Sequence, residues 1–248
     1  MAKYVLFDTE TTGLGEEDRV IQVGAMVVST DGSVVCYDEL CQPKEDIEIS
    51  LEAMEIHNIT PEMLFGTKEY SETDFKQELD NLNTEENYLI AHNLPFDLKM
   101  IEKEGFECRM KQIDTLRCAK HLYPDEAHHR LQYLRYSLGL YKTEEEEAKK
   151  HNITIKAHDA IGDVLVMKLF LRDLVQKALK YAPTVNPMET LATLTQKPVL
   201  IKKFTFGKYK GELVEEVVKK DRGYLQWLRN NTDISNQDMV NTLDYYLD

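Results

Sequence analysis

The stretch KYVLFDTETTG at residues 3–13 passes from an apolar, β-rich run into a glycine turn, and two carboxylates, Asp8 and Glu10, stand where the run ends. Two further β-rich runs follow at Val20–Val28 and Ser33–Cys41, separated by the turn signals Gly13-Leu-Gly15 and Thr30-Asp-Gly32. Short strands divided by tight turns predict an antiparallel meander. Asp31-Gly32 is a favoured turn pair, because glycine accepts a positive φ at little steric cost.

From Ser50 the apolar spacing becomes helical: Leu51, Met54 and Ile56, then Phe75, Leu79 and Leu82. Tyr88–Ala91 reads as a short buried strand, Pro95 opens a helix that ends near Gly105, and Ile113 lies in another short strand. Helical patterns run to Leu138 and again from about Asp159 to Leu179. Three strands followed by alternating helix and strand predict an α/β domain with a mixed sheet.

After Lys180 the texture changes. YAPTVNPMETLATLTQKP has three prolines and little charge, and residues 181–200 read as an ordered linker or strap. A turn-rich, hairpin-like piece, FTFGKYKG at residues 204–211, then precedes short amphipathic helices. The organisation expected is a domain at residues 1–180, the linker at 181–200 and a small α+β module at 201–248.

The chain of 248 residues can bury one substantial core with some length to spare. No long apolar run predicts a membrane span, and the N-terminus lacks the pattern of a secretory signal, so the cytosol, most simply a bacterial one, is the expected compartment. The four cysteines (Cys36, Cys41, Cys108, Cys118) show no C-x-x-C spacing, which argues against a thiolate metal site. Net charge is −14, and residues 1–180 carry the excess with 35 acidic and 21 basic side chains. Residues 199–248 balance at eight of each. The run Glu144 to Glu147 reads as a solvated helix face. Net charge by itself neither supports nor excludes a polyanionic substrate.

The chemistry rests on spacing. Asp8 and Glu10 lie two apart at a strand end and therefore point the same way. Gly13 permits close backbone approach just beyond, and the hydroxyls and N–H groups of the Thr9–Gly13 turn could grip a phosphate or a 3′-hydroxyl. Asp97, in HNLPFD, sits at a strand-to-helix junction, and Asp163 follows His158 by five residues in HDAIGD. Residues five apart on a helix are rotated by about 140°. The pair can share a site only if His158 lies on the loop before the helix and Asp163 in its first turns. Taken singly each residue is more often structural: Asp97 as a helix N-terminal charge, His158 as an exposed histidine. Together, four carboxylates without a thiolate suit a hard divalent cation. Two such ions about 4 Å apart can clamp a phosphodiester displacement, while a histidine titrating near neutrality takes a proton from water.

The motifs FDTETTG (7–13), HNLPFD (92–97) and His158-x-x-x-x-Asp163 resemble the three exonuclease motifs of the DnaQ-like (DEDDh) superfamily. Ile56-His-Asn-Ile-Thr60 looks like its H-G-I-T element with Asn58 in place of glycine; IDTL (113–116) and RLQYL (130–134) look like its D-T-L element and later leucine-rich helix. Position 159 is Asp, where the tyrosine subclass needs Tyr, so His158 indicates the histidine subclass. The resemblance covers residues 3–178 and implies a ribonuclease H-like fold: a mixed five-stranded sheet flanked by helices. It implies two Mg²⁺ or Mn²⁺ ions with Asp8, Glu10, Asp97 and Asp163 as ligands, His158 as general base, and 3′–5′ release of nucleoside 5′-monophosphates. Leu14 would wedge against terminal bases; His57, Asn93 and Phe96 would line the nucleotide pocket with Thr9, Thr11 and Gly13.

FGKYKG (206–211) and GYLQWL (223–228) are similar to the module appended to bacterial exodeoxyribonuclease X-like proteins. Its lysines and aromatics could track a backbone and stack bases. The simpler reading puts Trp227 and Phe206 in the module's own core and leaves Lys208 and Lys210 for phosphate. The expected substrate is nucleic acid with a free 3′ end, DNA favoured, in repair or end trimming. The open partners are a second copy of the chain or a repair or replication protein. Three other readings stand beside this one: a polymerase proofreading subunit, a 3′ RNA trimmer, and an inactive nucleic-acid-binding scaffold.

Overall fold

A computed structural model describes residues 2–43, 47–154 and 159–248. The strands are β1 (Lys3–Thr11), β2 (Val20–Ser29), β3 (Val34–Leu40), β4 (Tyr88–Ala91) and β5 (Lys111–Asp114). The helices are α1 (Leu51–His57), α2 (Pro61–Leu64), α3 (Asp74–Leu82), α4 (Leu94–Lys103), α5 (Thr115–Leu122), α6 (Leu131–Ser137), α7 (Tyr141–His151), α8 (Ala160–Tyr181), α9 (Pro187–Gln196), α10 (Val214–Lys220), α11 (Arg222–Asn231) and α12 (Gln237–Leu247). The strands form one five-stranded sheet in the order β3-β2-β1-β4-β5. β1, β2 and β3 pair antiparallel, while β4 and β5 join parallel to β1 and to each other. The expected mixed α/β sheet is borne out, with every strand in its expected place.

The two faces of β1 feed two cores, as the two-residue period requires. Leu6 packs with α5, α6, α8 and α9 in one cluster; Val5 and Phe7 pack with α3 and α4 in the other. Asp8 and Glu10 continue the Leu6 face toward α8. That helix is the main cover of this side: residues from Ala160 to Ala178 along it are buried, including Val164, Leu165 and Phe170. Among the described residues no helix is long and apolar enough to cross a membrane.

Three expectations change. Residues 181–200 are not merely a linker, because α9 lies within them and its Met188, Leu191 and Leu194 belong to the α8-side core. Asn186 caps α9 by accepting from Met188 N at 2.9 Å, and Pro187 stands at N1. Those prolines and the low charge therefore mark a capped helix. The hairpin-like piece reduces to a single antiparallel bridge between Lys203 and Leu213, while the expected short helices, α10 to α12, form most of the module around Phe204, Tyr209, Leu225 and Leu243. The Glu144–Glu147 run is only half solvated. Glu145 and Glu146 are exposed, whereas Glu144 turns inward to Arg135 and Glu147 to Lys168, at 2.8 Å and 2.5 Å.

The module docks through polar contacts: Arg117 holds Asp238 at 2.9 Å, the same carboxylate accepts from Val199 N at 2.8 Å, and Lys202 Nζ meets Asp125 Oδ1 at 2.8 Å. Leu191→Ala should cost about 3 kcal/mol, as expected for a buried leucine in a packed core. An exposed linker side chain would cost within about 0.5 kcal/mol. Denaturant unfolding of the full chain distinguishes the two.

Candidate active site

The site forms at the carboxyl ends of β1 and β4, where parallel pairing stops. The β1–β4 register runs only from Tyr4 to Leu6, so β1 continues past its neighbour. Asn93 turns the chain there in the left-handed conformation, φ 77°, and α4 begins. Its first turn delivers Asp97 to that stretch of β1. Asp97 Oδ1 accepts from both Thr9 N at 3.0 Å and Thr9 Oγ1 at 2.8 Å, and the residue is 3 % exposed. The turn is itself held by Asp114, whose Oδ1 accepts from Asn93 N at 3.0 Å while capping α5 through Leu116 N at 2.9 Å.

Asp163 arrives on α8, and a glycine permits it. Gly24 is the β2 partner of Asp8. A Cβ built at Gly24 would lie 2.3 Å from both the Ala160 carbonyl carbon and the Ile161 nitrogen, so backbone meets backbone at this point. The α8 N-terminus thus rests on the strand beside Asp8, and Asp163 follows within the first turns. Gln22, the partner of Glu10, holds the approach by donating to Asp159 Oδ1 at 3.0 Å and Asp38 Oδ1 at 2.9 Å. On the other side Gln132 of α6 donates to Asp163 Oδ1, and its own Oε1 accepts from Arg135 Nη1 at 3.2 Å. Arg135 is in turn clamped on buried Glu144.

Asp8, Glu10, Asp97 and Asp163 are therefore brought together, and their electrostatics record it. Burial raises the Asp8 carboxyl well above its ordinary range, and the charges of Asp97, Asp163 and Glu10 push it further. Burial, then Asp163 and Asp97, raises Glu10 to about 8; burial raises Asp97 to about 7 against the two Thr9 hydrogen bonds. Like charges crowded without a counter-ion repel. Among the described residues, no three His, Cys, Asp or Glu side chains are already arranged to hold a metal ion.

The remaining expected site residues divide. His158 lies outside the described residues. Thr9 and Thr11 are buried and use their hydroxyls within the protein, Thr9 on Asp97 and Thr11 on Gly13 O at 2.7 Å. Gly13 gives room to a side chain of the protein itself, since a Cβ there would lie 2.8 Å from Asp18 Oδ2. His57 is buried, with Nδ1 accepting from Ile59 N at 2.9 Å. The Thr11 backbone lies close enough to favour its protonation slightly, yet Nε2 finds no partner in hydrogen-bonding geometry. Burial holds its pKa below the ordinary value. Asn58 next to it takes φ 60°, which explains how asparagine serves where glycine was expected. Leu14 is 82 % exposed, Asn93 is exposed and Phe96 is half-buried, so these three remain open to a ligand.

Gly24, Gln22 and Gln132 were not singled out from the sequence. Gly24 carries a readable signal, a glycine inside an otherwise apolar strand, which marks a close approach. The glutamines carry none, because their partners lie far away along the chain.

A mixed sheet with carboxylates gathered from its central strand and two helices at the strand ends is an arrangement suited to nuclease chemistry, and the matches agree. Residues 5–170 match the Exonuclease family, to which the chain belongs. Residues 204–233 match the Exodeoxyribonuclease X-like C-terminal family. The chain is 30 % identical to Exodeoxyribonuclease 10 of Escherichia coli (strain K12), over 98 % of both chains. It is 33 % identical to DNA polymerase III subunit epsilon of Treponema pallidum (strain Nichols), over 55 % of this chain and 65 % of that one. Its fold is similar to Exonuclease X in complex with 5′ overhanging duplex DNA, TM-score 0.53 at 21 % identity, covering 77 % of this chain and 99 % of that one. It also resembles Escherichia coli Exonuclease I bound to a dT13 oligonucleotide, TM-score 0.54 at 19 % identity, covering 78 % of this chain and 46 % of that one.

Two measurements test this geometry. Gly24→Ala should lower nuclease turnover by about 100-fold, since the α8 backbone must retreat on the order of 1 Å and carry Asp163 with it; an unchanged kcat would overturn the contact's role. The second concerns charge. Asp97 and Glu10 are harder to ionise folded than unfolded, so the metal-free fold binds more protons and loses stability as pH rises from about 4 to about 8. Asp97→Asn keeps an oxygen for Thr9 and removes the charge. It should raise the metal-free Tm by roughly 5 °C at pH 8 and have little effect at pH 5, read by thermal denaturation in EDTA.

Proposed function

We propose that the chain is a divalent-metal-dependent 3′–5′ exonuclease that releases nucleoside 5′-monophosphates from DNA, in repair or end trimming. The observation that carries this is the gathering of Asp8, Glu10, Asp97 and Asp163, from three separate elements, into one set in which the charges of Asp97 and Asp163 add to burial in raising the carboxyls of Asp8 and Glu10. Their chemistry fits two Mg²⁺ or Mn²⁺ ions: all donors are hard oxygens, and the charge they crowd together is the charge such cations offset. When bound, the ions neutralise phosphate charge and lower the pKa of water.

The protein's own groups prepare the site. Thr9 fixes one oxygen of Asp97 and leaves the other for a ligand. Gln132 fixes one oxygen of Asp163, with Arg135 and Glu144 holding its carboxamide. Asp8 and Glu10 are set on one face by the β1 pleat. Leu14, exposed just beyond Gly13, would press on the last base, with Asn93 and Phe96 beside the nucleotide. In-line attack of water on the terminal phosphodiester needs a proton acceptor, the role assigned to His158.

Two units share the work. Residues 1–180, with α9 added to their core, form the catalytic part, and residues 201–248 the accessory module. The full-length likeness to an exodeoxyribonuclease, module included, favours this reading over a polymerase proofreading subunit, where the match to a relative covers only 55 % of the chain.

The test uses matched DNA and RNA oligonucleotides labelled at either end, with Mg²⁺. Stepwise shortening from the 3′ end of DNA is expected, with mononucleotide as product. Asp163→Ala should abolish release while circular dichroism shows an intact fold. Shortening from the 5′ end, or an active Asp163→Ala, would sink the assignment.

A further inference from the structure

The module carries an aromatic surface that its own core does not use. Phe204 and Tyr209 are the buried members, whereas Trp227 is 58 % and Phe206 43 % exposed, contrary to their expected place inside. The arrangement is built rather than incidental. Trp227 stacks on Tyr224 with centroids 6.0 Å apart and planes at 27°, and Tyr224 is braced edge-on by Tyr209 at 5.0 Å and Phe204 at 6.0 Å. Gly207, at φ 70°, brings the loop onto the Tyr224 hydroxyl, where a Cβ would lie at 2.6 Å. Phe206, next to it in the loop, meets Phe204 edge-on at 6.3 Å, so Phe204 touches both Phe206 and Tyr224. Lys208 Nζ lies 4.8 Å over the Tyr209 ring and 3.0 Å from Asp221.

Charge selects the occupant. Residues 202–211 contain four lysines and no acid in a chain of net charge −14. Exposed flat rings beside cations suit unpaired nucleobases with their phosphates, because every base offers a π-face and every linkage an anion. An apolar or acidic protein segment would leave the lysines or the rings unused.

We infer that the Trp227–Phe206 surface is a second strand-binding site, which stacks unpaired bases of the substrate away from the catalytic carboxylates while Lys208 and Lys210 neutralise the adjacent phosphates. This deepens the exonuclease reading and rests on it for the class of ligand. The site explains why a catalytic part rich in acid keeps a neutral, lysine-looped appendage: it gives a polyanion a place to bind where the protein's own charge opposes it least.

Trp227 is the one tryptophan of the chain, so its fluorescence reports this surface alone. The full-length protein in EDTA is titrated with an oligothymidylate, with an abasic deoxyribose-phosphate strand of equal length, and with a blunt duplex hairpin. Oligothymidylate should quench the emission strongly, and the other two should not. By fluorescence anisotropy of labelled oligothymidylate, Trp227→Ala should weaken binding by about 10-fold and Trp227→Phe by much less, with Tm unchanged in both. Lys210→Ala should lower the salt dependence by about one phosphate contact. Equal quenching by the abasic strand, no quenching, or full affinity in Trp227→Ala would overturn the inference and leave the surface for a protein partner. Binding in EDTA is separate from hydrolysis. A protein that degrades DNA without quenching sinks this site alone, and one that quenches without degrading sinks the exonuclease reading alone.

Discussion

Crowding four carboxylates is the constraint to which the rest of the catalytic part answers. At an effective dielectric near 20, two unit charges about 4 Å apart repel by about 4 kcal/mol, a large fraction of the net stability of a domain. The carboxylates stay together because none depends on the others for its place. Asp8 and Glu10 are carried by β1, which is paired to β2 along its whole length. Asp97 is tied by Thr9, and Asp163 rides a 22-residue helix whose buried face anchors one of the two main cores. Burial of that apolar face offsets a repulsion localised at one end of the sheet.

The approach of α8 to β2 at Gly24 converts this general packing into a specific site. Any side chain there would hold the helix backbone off the strand, and Asp163 would then stand away from Asp8. Further polar groups hydrogen-bond to these acids or to the turns that carry them: Asp114 on the Asn93 turn, Gln22 on Asp159, and the Glu144–Arg135–Gln132 chain on Asp163. Each fixes one oxygen or one turn. The Arg135–Glu144 pair shows why half of an acidic run turned inward, since a buried carboxylate with a bidentate arginine is satisfied.

The accessory module is joined differently. Its core is separate, and its junction with the catalytic part includes the ion pairs Arg117–Asp238 and Lys202–Asp125. Helix α9, which leads into it, belongs instead to the catalytic core. The two hydrophobic clusters therefore part between Leu194 and Ile201.

The strands, their alternation and the positions of the acids were legible in the sequence, because period-two patterning and turn glycines are local properties of the chain. Asp97 at a strand-to-helix junction and Asp163 in the first turns of α8 followed from the same local logic. Tertiary structure decided what local pattern cannot carry. Helix α9 looked like a strap, since three prolines outweighed a short apolar stripe whose burial depends on α8 and β5. Trp227 and Phe206 looked like core, since an aromatic residue in an amphipathic helix or a turn is apolar whether or not a neighbour covers it. Thr9 and Thr11 looked free to bind substrate until Asp97 and Gly13 O took their hydroxyls. Which glutamine meets which aspartate, and how near one helix can come to one glycine, depends on contacts between residues up to 137 positions apart, which no window of sequence contains.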